Sequence, residues 1–135
     1  MSNKPIRLGC VGVGNIWKGI HMPGLLKSPD LVLAAVCDND PENLRRACEL
    51  YGISEDHCFS DYNELINCPD VDAIDICTSN DLHCPVAIAA VNASKPYLLE
   101  KPVALTSRQQ QCRPFHANKH ARSTALFCPR FGGRR

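Results

Sequence analysis

No stretch of this sequence approaches the ~20 apolar residues that a bilayer-spanning helix requires. The N-terminus, Met1-Ser2-Asn3-Lys4-Pro5-Ile6-Arg7, contains no apolar core of a secretory signal. A membrane partner is therefore not expected, and the reading is a soluble, cytoplasmic chain. Zinc-site spacing is also lacking: the nine cysteines include no Cys-x-x-Cys pair, so no metal is expected. They read instead as small hydrophobes, mostly buried, in a reducing compartment. Internal repeats and low-complexity linkers are absent, and hydrophobic and charged contents of 44% and 21% exclude a disordered chain. Acids are missing from residue 101 onward. Residues 1–100 carry 7 Lys+Arg and 14 Asp+Glu, a net −7, whereas residues 101–135 carry 8 basic residues and no acid, a net +8.

What is present alternates between strand-like and helix-like patterns. Residues 6–13 read as a first strand running into a glycine turn, and residues 15–27 as a helix that Pro23 is expected to bend or break. Residues 31–37, Leu-Val-Leu-Ala-Ala-Val-Cys, form a continuous apolar run suited to a parallel strand covered on both faces. Asp40 and Pro41 suit a helix cap and first position. Leu44, Ala47, Cys48 and Tyr51 then recur on one helical face, and Gly52 ends it. A short strand is expected near Cys58-Phe59, a short helix behind an Asp61-x-x-Glu64 capping box, a fourth strand over 72–77, a helix over 82–93 and a fifth strand over 96–100. This alternation predicts an α/β fold with a doubly wound parallel sheet.

The polar residues cluster where such a sheet binds ligands, outside the carboxyl ends of its strands. Gly12 and Gly14 let a pyrophosphate approach the main chain, and the helix behind them offers free N–H groups. The third glycine position of this motif is Trp17, whose indole is expected to point away from the sheet or push the helix outward. Asp38, at the end of the second strand, can accept both hydroxyls of an adenosine ribose and would repel a 2′-phosphate, so NAD is favoured over NADP. Thr78, Ser79 and Asn80 follow strand four and can bond the cofactor's ribose or phosphates. Asp81 is read as a helix cap. His83 is either a surface histidine or a ligand contact, and His21 is left equally open. Glu100-Lys101-Pro102 follows strand five. Lys101 can hold a substrate hydroxyl or carbonyl and stabilise oxyanion character during hydride transfer, and Glu100 can orient it or line the nicotinamide pocket.

Together these residues resemble the N-terminal domain of the glucose–fructose oxidoreductase, inositol dehydrogenase and rhizopine-catabolism (Gfo/Idh/MocA) family. The resemblance covers residues 5 to about 107 and rests on Val11-Gly12-Val13-Gly14-Asn15-Ile16, His21-Met22-Pro23, Cys37-Asp38, Val71-Asp72-Ala73, Thr78-Ser79-Asn80 and Glu100-Lys101-Pro102. It implies a Rossmann domain over 1–107 and an NAD(P)-dependent oxidoreductase acting on sugars or cyclitols. Gly12, Val13, Gly14, Asn15, Ile16 and Asp38 would bind the dinucleotide. Thr78, Ser79, Asn80, His83 and Glu100 would line its path, and Lys101 would be the catalytic lysine. The family's second α/β domain, which supplies the substrate platform, the acid/base and the oligomer interface, is expected to be absent. The chain would then be a truncated, inactive half-enzyme, and a non-catalytic NAD(H)-binding regulatory module is the alternative.

Residues 108–135 lack an apolar stripe and contain Pro114. They read as out-of-frame sequence or a degraded last helix–strand unit, although residues 124–128 can still form a sixth strand. With few aromatics in this basic segment, no nucleic-acid partner is expected.

Overall fold

The computed structural model describes residues 4–99 and 125–127. Six parallel strands form one sheet in the order β3-β2-β1-β4-β5-β6. They are β1 (Ile6–Val11), β2 (Leu31–Cys37), β3 (Cys58–Phe59), β4 (Ala73–Ile76), β5 (Tyr97–Leu99) and β6 (Ala125–Phe127). The order reverses at β1, with β2 on one side and β4 on the other. The connections that leave β1 and β4 therefore run to opposite faces of the sheet and open a crevice there. The sixth strand expected over 124–128 is present, with Tyr97 opposite Ala125 and Leu99 opposite Phe127.

The first helix starts directly behind the glycine turn, where Lys18 N–H donates to the Gly14 carbonyl at 3.1 Å. Pro23 does not break it. Five residues, Trp17–His21, widen into a π-helical turn, with Met22 N–H bonding the Trp17 carbonyl, and α1 (Met22–Lys27) continues beyond. The proline falls directly behind the π-helical turn, at the second residue of α1. α2 (Pro41–Tyr51) is capped as its sequence indicates. The Asp40 side chain accepts from Glu42 N–H, and Gly52 closes the helix in the left-handed conformation. At α3 (Tyr62–Asn67) only half of the capping box forms: Asp61 accepts from Asn63 N–H at 2.8 Å. In α4 (Asn80–Asn92) Ser79 occupies the N-cap position, and Asp81 falls in the first turn instead of capping it.

Two apolar layers sandwich the sheet. One packs Leu65, Ile66, Val86 and Ala90 from α3 and α4 onto Val11, Ile74 and Ile76. The other packs Trp17, Met22 and Leu25 from the first helix, with Ala47 from α2, onto Leu8, Cys10 and Val36. Trp17 lies in this second layer and is fully buried. Of the two expected alternatives, pointing away from the sheet is thus ruled out. The small side chains of Cys10 and Ala47 leave room for the indole, and Tyr51 meets it edge-on at 5.5 Å between centroids.

The cysteines divide. Cys10, Cys37 and Cys84 are buried thiols, as read from the sequence, and Cys68 and Cys77 are partly exposed. Cys48 and Cys58 form a disulfide between α2 and β3, their Cα atoms 6.6 Å apart. That pair corrects the expectation of reduced thiols throughout. The stripe of α2 brings Cys48 over the edge strand, a pairing that no spacing in the sequence reveals. No helix among the described residues is long and apolar enough to cross a membrane.

Candidate functional site

A cleft of about 230 Å³ opens beyond the carboxyl ends of β1, β2 and β4. It is lined by Gly12, Gly14, Asp38, Thr78 and Ser79 from the expected set, and also by Asn39, Ser60, Tyr62, Cys77 and Leu82. Gly12 has φ +89°, and a Cβ there would lie 2.5 Å from the Cys77 carbonyl oxygen. Only glycine lets the turn pass this close to β4. At Gly14 the reverse holds, since an added Cβ would meet nothing within 4 Å. The turn is closed on its sheet side and open on its outer side, the arrangement a phosphate needs to approach the main chain.

Asp38 stands at the carboxyl end of β2. Its Oδ2 accepts from Val13 N–H at 2.9 Å and its Oδ1 from Asp40 N–H at 2.9 Å. Each oxygen keeps a further lone pair for a hydroxyl donor. Val13 thus contributes its backbone, while its side chain is buried in the core. Asn15 and Ile16 are exposed on the first turn of the helix, whose leading N–H groups have no intrahelical acceptor.

Thr78 and Ser79 lie across the cleft from Asp38, and Asn80 begins α4. His83 is not a surface residue. It is 1% exposed, and its Nε2 bonds the Thr78 carbonyl at 3.1 Å, which fixes the loop that lines the cleft. Asp81 is held below the usual carboxylate range, chiefly by the Ser79 hydroxyl. Glu100 and Lys101 lie outside the described residues.

Sequence reasoning missed a buried polar group beneath the cleft. Asp75, in the middle of β4, is 1% exposed. Both its oxygens face His21 Nδ1, at 2.9 and 2.8 Å, and His21 Nε2 faces Cys77 Sγ at 3.8 Å. Burial pulls the His21 pKa down, but hydrogen bonds from Asp75 and Cys77 and the Asp75 charge outweigh it, pushing it up to about 11. The available signal was an acid inside an otherwise apolar strand, Ala-Ile-Asp-Ile. Ser60 and Tyr62 were also missed. They follow β3, too short a strand for its carboxyl end to stand out in the sequence.

At the opposite end of the sheet Asp72 takes Arg7 through Nε and Nη2 at 3.0 and 2.9 Å, and Asp70 takes Nη1 at 3.0 Å. His57, Cys68 and Asp70 each place one possible ligand atom within 4.8 Å of the others. The guanidinium on the same Asp70 carboxylate opposes a cation there.

A family model described as an oxidoreductase family with an NAD-binding Rossmann fold matches residues 6–125. The chain belongs to the Gfo/Idh/MocA oxidoreductase family. An inositol 2-dehydrogenase of Salmonella typhimurium is 37% identical over 107 residues, which cover 78% of this chain and 31% of that protein. A myo-inositol 2-dehydrogenase of Thermotoga maritima is 35% identical over 100 residues, covering 74% of this chain and 29% of that protein. The chain therefore spans about a third of the length of these curated relatives. Among solved structures, scyllo-inositol dehydrogenase of Lactobacillus casei with bound NAD(H) and scyllo-inositol superimposes with a TM-score of 0.77 at 28% identity. That match covers 92% of this chain and 36% of the other. A 3-ketoreductase of Actinomadura kijaniata, in complex with NADP, superimposes with a TM-score of 0.70 at 26% identity, covering 80% and 33%. Family membership brings an NAD(P)-binding Rossmann domain, and the cleft fits that group. Its glycine turn is open on the ligand side, a carboxylate ends β2, and hydroxyl and amide side chains follow β4.

Proposed function

We propose that this chain is the dinucleotide-binding half of an oxidoreductase that moves a hydride between a sugar or cyclitol hydroxyl and nicotinamide, with NAD as the preferred cofactor. The observation that supports this most is the convergence of Gly12, Gly14, Asp38 and Thr78 on one cleft at the point where the strand order reverses. The backbone of Gly14, Asn15 and Ile16 would receive the pyrophosphate at the start of the helix. Asp38 would accept the adenosine ribose hydroxyls, and its charge would disfavour a 2′-phosphate. Thr78, Ser79 and Asn80 would line the far side, held by His83 from below. Nicotinamide, when bound, supplies the hydride acceptor or donor. Lys101, with Glu100 beside it in the sequence, would hold the reacting oxygen as its charge changes. Proton transfer and recognition of the sugar belong, in this reading, to parts of the whole protein beyond residues 1–107.

Thermal melting of the purified chain tests the reading. A ligand that binds only the folded form stabilises it by roughly 2.7 kcal/mol at a hundred times its dissociation constant. NAD is expected to raise the melting temperature, NADP to raise it less, and Asp38→Ala to abolish the difference between them. An unchanged melting temperature at saturating NAD would overturn the proposal.

A further inference from the structure

We propose that Cys77, His21 and Asp75 form a thiol–imidazole–carboxylate relay that makes Cys77 a site of covalent capture for soft carbon electrophiles in the cleft. The three residues come from two elements that the sheet brings together. Asp75 lies in β4, Cys77 follows that strand, and His21 ends the π-helical turn packed above it. Residues two apart on a strand point to the same face, so Asp75 and Cys77 both face the first helix. His21 sits between them, its Nδ1 on the carboxylate at 2.8 Å and its Nε2 on the thiol at 3.8 Å.

Burial decides what this arrangement can do. The side chains of His21 and Asp75 are only 5% and 2% exposed, whereas Cys77 is partly exposed and lines the cleft. The carboxylate and imidazole are therefore sheltered from solvent, while Cys77 lies at the edge of the cleft, packed on one side against the buried layer of the first helix. Asp75 orients the ring so that Nε2 addresses the sulfur, and it holds the imidazolium whose charge stabilises the thiolate. Among the described residues, one other titratable group touches the pair. The neighbouring thiol, Cys10, lies on Asp75 at 3.8 Å, and burial holds its pKa well above the ordinary thiol value. The π-helical turn is itself a feature often found at functional sites, and here it sets His21 over β4.

In the capture step the Cys77 sulfur attacks the electrophilic carbon. With iodoacetamide as the probe, a sulfur–carbon bond forms, the carbon–iodine bond breaks, and iodide leaves with its electron pair. The thiol proton passes to solvent before the attack, and the His21 imidazolium stabilises the thiolate that remains. No oxidant or reductant is involved. An adduct at Cys77 would stand beside Gly12 and Thr78 and fill the cleft.

Timed alkylation of the intact, unreduced chain by limiting iodoacetamide, read by peptide mapping, tests the proposal. Free cysteine at the same pH is the reference, because Cys68, the other partly exposed thiol among the described residues, itself lies within 4.8 Å of a ring nitrogen of His57 and a carboxylate oxygen of Asp70. Cys77 is expected to react at least roughly tenfold faster than free cysteine. H21Q, which keeps a polar side chain but carries no charge, is expected to bring the ratio close to one, and D75N to lower it partway. A Cys77 rate no higher than that of free cysteine in the unmodified protein would overturn the proposal, as would a folded H21Q variant that keeps the fast reaction. If thermal melting shows that H21Q is unfolded, the ratio in the unmodified protein and in D75N decides the question.

Discussion

Val13 N–H donates to Asp38 Oδ2 at 2.9 Å, so the carboxylate at the end of β2 is tied to the turn at the end of β1. A residue assigned to the cofactor thus also holds the loop that would receive the cofactor's phosphates. Asp38→Asn keeps an oxygen acceptor for Val13, while Asp38→Ala leaves that N–H without its partner. Both variants are expected to lose discrimination between NAD and NADP, measured by titration. Only Asp38→Ala should also lower stability, by about 1–2 kcal/mol in a urea melt.

Gly12 and Gly14 separate fold from function within one turn. Gly12→Ala would place a Cβ 2.5 Å from the Cys77 carbonyl oxygen at φ +89°, a strain of roughly 1–3 kcal/mol before the clash is counted. A large loss of stability is expected. Among the described residues, Gly14→Ala meets no atom within 4 Å, and it should melt within about 0.5 kcal/mol of the parent. Its methyl group would occupy the space a pyrophosphate needs, so dinucleotide binding should fall sharply. Parallel melts and NAD titrations of the two variants check this contrast.

The sheet and its helices were legible because burial imposes strong local patterns. Continuous apolar runs marked β1 and β2, the i, i+3, i+4, i+7 stripe marked α2, and Asp40, Pro41 and Gly52 marked its ends. The cleft residues Gly12, Asp38 and Thr78 were legible because a doubly wound sheet gathers the ends of its strands. What escaped depends on contacts distant in sequence. Asp75 was read as part of a strand, and nothing local joins it to His21, 54 positions away. The Cys48–Cys58 disulfide and the inward packing of Trp17 likewise rest on which side chains across the interface are small. Pro23 marks a bend or break in the sequence, but the π-helical turn ahead of it leaves no clear mark of its own.

Trp17 is the chain's single tryptophan and is fully buried, so it reports on the layer beneath the cleft. Its emission is expected to be blue-shifted and shielded from iodide until the protein unfolds. Trp17→Ala should cost about 3–5 kcal/mol by opening a cavity against Met22 and Tyr51. Trp17→Phe, which keeps a ring edge-on to Tyr51, should cost less. Urea melts followed by circular dichroism give both values.

The Cys48–Cys58 disulfide joins α2 to the two-residue edge strand β3. Closing a loop with a sequence separation of 10 restricts the unfolded chain by roughly 2–3 kcal/mol. Dithiothreitol is expected to lower the melting temperature of the unmodified protein but not that of Cys58→Ser. Without reductant, both cysteines should resist alkylation in urea, when all remaining thiols are accessible. Labelling of Cys48 under those conditions would refute the bond.

The His21–Asp75 pair gives stability a sign with pH. The folded-state pKa of His21 lies near 11, above its ordinary value of 6.5, so the folded protein holds a proton that the unfolded chain releases at lower pH. By linkage, the contribution is complete below about pH 6.5 and is lost as pH rises through about 11. Lysines, tyrosines and thiols titrate in the same alkaline range, so the difference between the unmodified protein and D75N isolates the pair. D75N removes the charge that holds the proton, and burial then favours neutral imidazole. The stability gap between the two proteins should therefore be widest at or below about pH 6.5 and narrow steadily above it. The His21 ring resonances should show a protonated imidazole at pH 8 in the unmodified protein and a neutral one in D75N. A neutral ring in both would mean that desolvation outweighs the carboxylate, and the gap would then not narrow as pH rises.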